Sequence, residues 1–407
     1  MTRIVVPDNG TIGSASDTDA ITISSSGAVT LSSDFVPATP LSHRNVVING
    51  AMQIWQRGTA EVTISNGSNE GYTTADRFKM DFGSSCAGAV KWSRATEVPD
   101  LSGGDMFVYS LKVQTSTANS SPTTNKLATI DYRVEAHDMQ RFGWGKTNKK
   151  NAVLSFYLKT NKTGVYSWYF QHPGTGTARH RTISFTVSDT NWNRYSIPVS
   201  ADTVAIPDAN TEGLQIRLNL INTPDNDYTS GTDSGWGTTV YVNDDDQVNF
   251  LDSTSNILYF TGVQFEIGNL ATPFEHRNFP DELRRCQRYY ERTYPYGTAT
   301  GSGSSSSASY AGSLFAGLNG TGGQTTGWIH AQFRDQVEKR ASPTTTMYDT
   351  AGNVGKLSLT VPGTSTTHDK TAGTGDASTN SINIFRASGT SDSASSFYCH
   401  LLRDAEL

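Results

Sequence analysis

Charge is scarce in this chain of 407 residues: Asp, Glu, Lys and Arg together make up 17 %, and the formal net charge is −6. Hydrophobic residues are few as well, at 35 %. Globular averages run at roughly 25 % charged and roughly 45–50 % apolar (the latter counted with Gly rather than Tyr). Helical bundles and coiled coils draw on Ala, Glu, Lys, Leu and Arg in bulk, so this composition excludes them. A nucleic-acid-binding domain is usually basic, and this balance is mildly acidic. The 3 cysteines, Cys86, Cys286 and Cys399, lie far apart and form neither a disulfide framework nor a zinc cluster. No apolar run approaches the ~20 residues of a membrane span, and the N-terminus has no signal-peptide pattern. No repeat of roughly 20–50 residues is visible, which argues against a β-helix or propeller.

Small hydroxyl residues are what the chain does have: 52 Thr and 45 Ser, with 37 Gly beside them. The 17 Phe, 17 Tyr and 7 Trp suffice to close a core, which excludes wholesale disorder. The composition reads as a soluble, Thr-rich, turn-rich, all-β protein of two or three domains.

Five segments follow along the chain. Residues 1–42 form an arm with little core material. Its Ile21–Ile23 and Ala28–Leu31 alternate around Ser24-Ser25-Ser26-Gly27, the pattern of a short hairpin. Two short strands are marginal in water, so the arm is expected to lean on a partner or on sister chains. Residues 43–280 hold most of the aromatics. Phe78–Phe82, Phe107–Thr115, Ala128–Glu135, Ala152–Lys159, Val165–Phe170, Thr182–Val187, Asn193–Val199, Leu214–Ile221, Val240–Val242 and Tyr259–Glu266 read as short strands, and with no helix pattern between them they predict one antiparallel sandwich. Asp281–Arg292 reads as the single helix, with Leu283, Cys286 and Tyr290 on one narrow face and Pro295 beyond it. That connector, 281–296, is expected to pack on the sandwich or on the same helix of two other chains. A Gly/Ser linker spans 297–309. Residues 310–407, with strand-like runs at Tyr310–Leu318, Thr326–Phe333, Thr344–Tyr348, Gly355–Val361, Ser381–Ala387 and Ser395–Leu402, read as a smaller β domain with a thin core, of the kind that subunit neighbours complete.

Three stretches resemble structural proteins of tailed bacteriophages, especially tail fibres of marine and environmental phages. The first is Asn45–Gly58 with Tyr72–Phe78. The second combines Gly262–Gly268, Ala271–Arg277 and Cys286–Tyr290. The third is Asp404-Ala405-Glu406-Leu407. Residues 109–199, with Trp144-Gly145, Leu154-Ser155-Phe156 and Trp192, are similar to the jelly rolls of carbohydrate-binding modules. The resemblance implies a trimeric virion fibre, made in the bacterial cytoplasm. It would dock to other virion proteins by its N-terminal arm and meet a host-surface glycan or protein receptor with its distal domain. The chain lacks a long repetitive shaft, so a head or collar appendage stands as the alternative.

Candidate chemistry is sparse. Asp244-Asp245-Asp246, between Asn243 and Gln247, is the densest acidic run. It is the candidate for a structural calcium, which takes six to eight oxygen ligands; the competing reading is a solvated turn. Asp131, Glu135, Asp138, Glu266 and Glu275 are the carboxylates a glycosidase would use, and none stands in a motif. No nucleophile elbow is present. Arg284, Arg285, Arg288 and Arg292 are expected to pair with carboxylates, Glu282 and Glu291 among them. Sugar recognition uses aromatic faces beside polar groups on displayed loops. Trp236 and Tyr228 share one polar loop, and Trp144 sits between two glycines; these are the candidate sugar-binding residues. Trp55, Trp168 and Trp192 lie on expected strands or fibre-like strand entries and read as core. The expectation is therefore a non-enzymatic, all-β protein: an antiparallel jelly roll plus a smaller C-terminal β domain, trimeric, without nucleic-acid or membrane partners.

Overall fold

The computed structural model describes the chain except residues 1–6, 8, 14–20, 27–28, 32–41, 84, 101–105, 124–125, 223–232, 234, 299–300, 302–311, 318–327, 361–365, 372, 376 and 388–395. The candidate Tyr228, most of the Gly/Ser linker and much of the C-terminal loops lie outside the described residues. The chain forms two units, Met1–Arg44 and Asn45–Leu407.

The first unit holds a three-stranded antiparallel sheet of β1 (Gly10–Ile12), β2 (Ile21–Ile23) and β3 (Val29–Leu31). The expected hairpin forms with Ile21 opposite Leu31, and β1 adds to its other edge.

The second unit begins with a sandwich. Its strands are β4 (Val62–Ser65), β5 (Phe78–Gly83), β6 (Ala89–Ala95), β7 (Ser110–Thr117), β8 (Leu127–Glu135), β9 (Ala152–Thr160), β10 (Gly164–His172), β11 (Arg179–Val187), β12 (Asn193–Val199), β13 (Glu212–Asn219) and β14 (Ile257–Ile267). One sheet runs β11-β10-β13-β8-β5 and the other β12-β9-β14-β7-β6-β4, with every pairing antiparallel. Successive strands cross repeatedly between the sheets, as β8, β9, β10 and β11, β12, β13 do; this is the jelly-roll arrangement. Alternation decides which side chains turn inward. Leu154, Phe156 and Leu158 of β9 face Tyr166, Trp168 and Phe170 of β10 across the interior. Short helix α1 (Ala136–Met139) and a 3-10 turn at Gln140–Phe142 close one end with Met139 and Phe142. Val240–Val242, expected as a strand, is not one.

Helix α2 covers Phe279–Gln287. Asn278 caps it by accepting from the Asp281 amide at 3.0 Å, and Pro280 occupies the first turn, where no amide partner is needed. The helix is shorter than the expected Asp281–Arg292. Tyr290 is not on its face: Tyr290–Arg292 forms β15, paired with β23 (Ser396–Asp404). Backbone pairing with a distant strand has displaced the local helical pattern. Leu283 and Cys286 do share a face, and they pack on Ile48, Ile54, Tyr289 and Leu407 of the same chain.

The C-terminal strands are built around β23. Its first half lies between β16 (Leu314–Gly317) and β19 (Lys356–Thr360), and its second half between β15 and β18 (Thr344–Tyr348). β20 (Thr367–Thr371) extends β19. A separate sheet orders β17 (Trp328–Arg334), β22 (Ser381–Ala387) and β21 (Gly373–Gly375). The core here is small, centred on Leu357, Leu359, Ile384, Phe397, Cys399 and Leu401. Buried charges supplement it. Lys339 bonds Glu291 at 2.5 Å and faces Asp335 at 3.6 Å, and Arg403 reaches Asp335 at 2.9 Å. Among the described residues no helix is long and apolar enough to cross a membrane.

Candidate functional site

The stretches behind the phage-fibre resemblance meet in one buried clamp. Asn45 accepts from the amides of Val47 and Phe265 and donates to the Val263 carbonyl, tying the chain entry to β14. Asn49 bonds Ile54 and Asp76 through its side chain and Glu282 through its amide. Arg277 holds Glu282 and the carbonyls of Val47 and Asn45. Arg57 pairs with Asp404 at 2.9 Å and Glu406 at 3.3 Å, and its guanidinium lies 3.7 Å from the centre of the Tyr290 ring. Arg77 pairs with Glu406 and lies 3.4 Å from the Tyr289 ring centre. Arg340 donates to the carbonyls of Ala405 and Glu406. Burial pushes the Asp76 carboxyl up to about 6, against the opposing pull of Arg57. The clamp binds the sandwich, α2 and β23 into one body. Most of its polar groups bond one another, with the buried Nε atoms of Arg77 and Arg277 left over, and the contacts it makes are architectural.

The candidate aromatics lie at one end of the sandwich. Trp144 is buried to 3 % exposure, its indole N–H donating to the Lys150 carbonyl at 3.0 Å. It is a core ring and offers no face to a ligand. Trp236 is half-buried, edge-on to Trp144 at 5.1 Å and to His172 at 5.0 Å, and donates to the Ser200 carbonyl at 2.7 Å. His172 sits beneath it, bonded through Nε2 to Asp202 at 2.9 Å, while Nδ1 accepts from the Gly174 amide. That pair fixes the neutral tautomer with the proton on Nε2. Burial lowers the His172 pKa despite Asp202. Asp202, pushed up by burial, is held below the usual carboxylate range by Arg179 and His172.

The segment from Trp236 to Gln247 then crosses the outer face of the five-stranded sheet. Gly237 exchanges backbone bonds with His180, Thr182 donates to Tyr241, Asn219 donates to Val242, and Ser167 donates to Gln247 at 2.7 Å. This explains the missing strand at Val240–Val242: its backbone is bonded to side chains of the face below. Asp244 accepts from Ser184 and from the Asp246 amide, while Asp245 and Asp246 are exposed. Among the described residues no group of three or more His, Cys, Asp and Glu is placed to hold a metal ion.

Beyond that segment the same face carries a charged array. Arg217 of β13 bonds Asp131 of β8 at 2.9 Å and reaches Asp81 of β5 at 3.4 Å. Lys79 stands 3.7 Å from Asp81 and 4.0 Å from Asp131. Tyr169 of β10 bonds His180 and Gln171. Asp131 is fully buried, and burial raises its carboxyl despite Arg217; Lys79, Asp81, Gln171 and Arg217 remain partly exposed. The other carboxylates weighed for hydrolysis are dispersed. Glu135 bonds Arg288 and Tyr289, Glu266 bonds Gln264 and Thr272, and Glu275 bonds the Asn45 amide. Arg288 is thus paired as expected, but with Glu135; Glu282 serves Arg277 and Glu291 serves Lys339.

No family model and no curated protein matches the chain. Among solved structures it is similar to the enzymatically active domain of tailspike protein 4 from bacteriophage CBA120, at 14 % identity and a TM-score of 0.27, over 50 % of this chain and 21 % of that one. It is also similar to a family 11 carbohydrate-binding module from Clostridium thermocellum, at 12 % identity and TM-score 0.26, over 53 % of this chain and 99 % of the module. A third likeness is to the CBM22-1 xylan-binding domain of Paenibacillus barcinonensis Xyn10C, at 11 % identity and TM-score 0.25, over 53 % and 98 %. Superpositions this loose transfer no site, and the ligand chemistry has to be argued from this chain's own residues.

The array of Lys79, Asp81, Gln171 and Arg217 is absent from the sequence reading. Lys79 and Asp81 stand on β5, Gln171 on β10 and Arg217 on β13, with Asp131 on β8, and only the order β10-β13-β8-β5 brings them together. The one available signal is alternation: in β5 and β8 the residues opposite the core positions are Lys79, Asp81, Asp131 and Arg133.

Proposed function

We propose that the chain is a phage virion appendage, a trimeric fibre subunit, that attaches to a host-surface glycan without chemistry. The observation that carries the reading is the array on the five-stranded sheet. Donors and acceptors of both signs are held in place by one another before any ligand arrives. Preorganised polar groups of this kind recognise hydroxyls at low ordering cost. Half-buried Trp236, at one end of the same sandwich, adds an aromatic ring to the polar groups of this reading. Three copies per fibre and several fibres per virion would convert weak single sites into avid attachment. The N-terminal arm is the docking element in this reading.

Hydrolysis would require two carboxylates free to act as acid and as base or nucleophile across a sugar. Asp81 and Asp131 are instead shared by Arg217 and Lys79. The test is binding of the purified full chain to a panel of bacterial surface polysaccharides, with Asp81→Asn, Gln171→Ala and Trp236→Ala beside it. Saturable binding to a subset, weakened about tenfold or more by these variants, agrees with the reading. Binding that all three variants retain would remove this face as the site, and reducing-sugar release lost in Asp131→Asn would replace attachment by hydrolysis.

A further inference from the structure

The outer face of the six-stranded sheet has a different character. Leu158 of β9 and Leu258 and Phe260 of β14 point into the core, which turns Tyr157, Lys159, Tyr259 and Thr261 to the other side of the sheet, where Tyr157 and Thr261 are buried, Tyr157 with Phe107 and Phe274, and Lys159 and Tyr259 are half-buried. Register sets Lys112, Tyr259 and Lys159 side by side across β7, β14 and β9. Trp192 directly precedes β12, whose Asn193 pairs with Leu158, so its ring extends that row. The Trp192 and Tyr259 ring centres are 6.3 Å apart with 48° between their planes, and both side chains are half-buried. One step along the strands, the Arg194 guanidinium lies 5.7 Å from the Tyr157 ring centre and donates to Ser155 and to the Thr272 carbonyl. Glu97, from the connection between β6 and β7, accepts from Lys159 at 2.7 Å and from the Trp192 indole at 3.2 Å, which fixes the ring.

The charges here run against the chain's overall sign. Glu97 neutralises Lys159. Asp189, the next carboxylate, is taken up by Asn191 and Asn193 in the turn before β12. Among the described residues no carboxylate pairs with Lys112 or Arg194, which flank the aromatic row. A half-buried aromatic platform with cations at its edges is complementary to a ring that is apolar on its flat face and anionic at its rim. A single-stranded nucleic acid would need a basic groove that tracks successive phosphates, whereas here Lys159 is neutralised by Glu97 and only Lys112 and Arg194, standing apart, lack a carboxylate partner among the described residues.

We infer that this face is a second binding surface, for an acidic glycan, with a sugar ring on Tyr259 and Trp192 and its carboxylate toward Lys112 or Arg194. It does not rest on the five-stranded face, and the two are separable by variants. The experiment is a calorimetric titration of the full chain with polygalacturonate, with dextran as the neutral comparison and oligothymidylate as the nucleic-acid comparison. Polygalacturonate binding that exceeds both, weakens as salt is raised, falls about tenfold in Tyr259→Ala and in Lys112→Glu, and is unmoved by Asp81→Asn is the expected result. Lys112 is half-buried and has no ion-pair partner among the described residues, so Lys112→Glu is expected to retain the fold, which its far-UV spectrum checks. Equal affinity for dextran, oligothymidylate bound as tightly as the polyuronate, or no loss in folded Lys112→Glu would each overturn the inference.

Discussion

Arg77 has only 1 % of its side chain exposed and pairs with Glu406 from 329 residues further along the chain. Removing one partner of a buried pair leaves the other charge uncompensated, which typically costs about 3–5 kcal/mol. Arg77→Ala is therefore expected to lower the urea-unfolding free energy by an amount in that range; a loss below about 1 kcal/mol would show that the clamp is not a keystone. His172 makes a pH prediction. Burial holds its folded pKa below the ordinary value of about 6.5, so the unfolded chain binds the proton first as pH falls. The stabilisation is complete above about pH 6.5 and drains away between that value and the lower folded one. Melting temperatures of the protein and of His172→Gln should converge on acidification from pH 7. A gap that widens instead would mean the imidazole is charged in the fold. At this scale the sequence shows which residues are unusual but not which of them meet. Arg57, Asp76-Arg77 and Glu406 stand in the fibre-like stretches, yet nothing local announces that they face one another, because the contact is made by the fold.

Among elements, the β-strands are the most legible. Asn193–Val199, Thr344–Tyr348 and Ser381–Ala387 have the bounds that alternation predicts. Ala89–Ala95 is missed because Lys91, Ser93 and Arg94 dilute an apolar pattern that rests on Val90 and Trp92, and Val62–Ser65 because its alternation of Val62 and Ile64 is too short to stand out. The expected helix overruns the observed one from Arg288 to Arg292, and Tyr290–Arg292 of that overrun are captured by β23. Close approach is equally hidden. The loop at Gly50 lies so near β14 that a Cβ there would stand 2.1 Å from the Val263 carbonyl oxygen. Gly50→Ala must push the two apart, and we expect a loss of about 1–3 kcal/mol in unfolding free energy. A neutral Gly50→Ala would show that the entry loop does not seat against β14 as described.

For the whole molecule, the thin composition at the two ends first suggests completion by neighbours. In the C-terminal strands part of that completion is internal, through Lys339, Glu291, Asp335 and Arg403 and through the clamp to the sandwich. Assembly remains the proposal for the fibre as a unit. Light scattering of the folded chain should give three times 44.0 kDa; a value near 44.0 kDa would return the protein to a monomer. The fibre-like stretches account for how the sandwich, α2 and β23 are joined, whereas the proposed glycan surfaces lie elsewhere, on strands read only through alternation. That division separates what holds the body together from what it presents. The central claim is attachment without chemistry, and one assay addresses it directly: purified protein on the host polysaccharide, with bound protein and released reducing ends measured in the same samples over time. The account predicts saturable binding with no release above the polysaccharide alone. Release that grows with time and with enzyme concentration, or no binding by the folded protein, would contradict it.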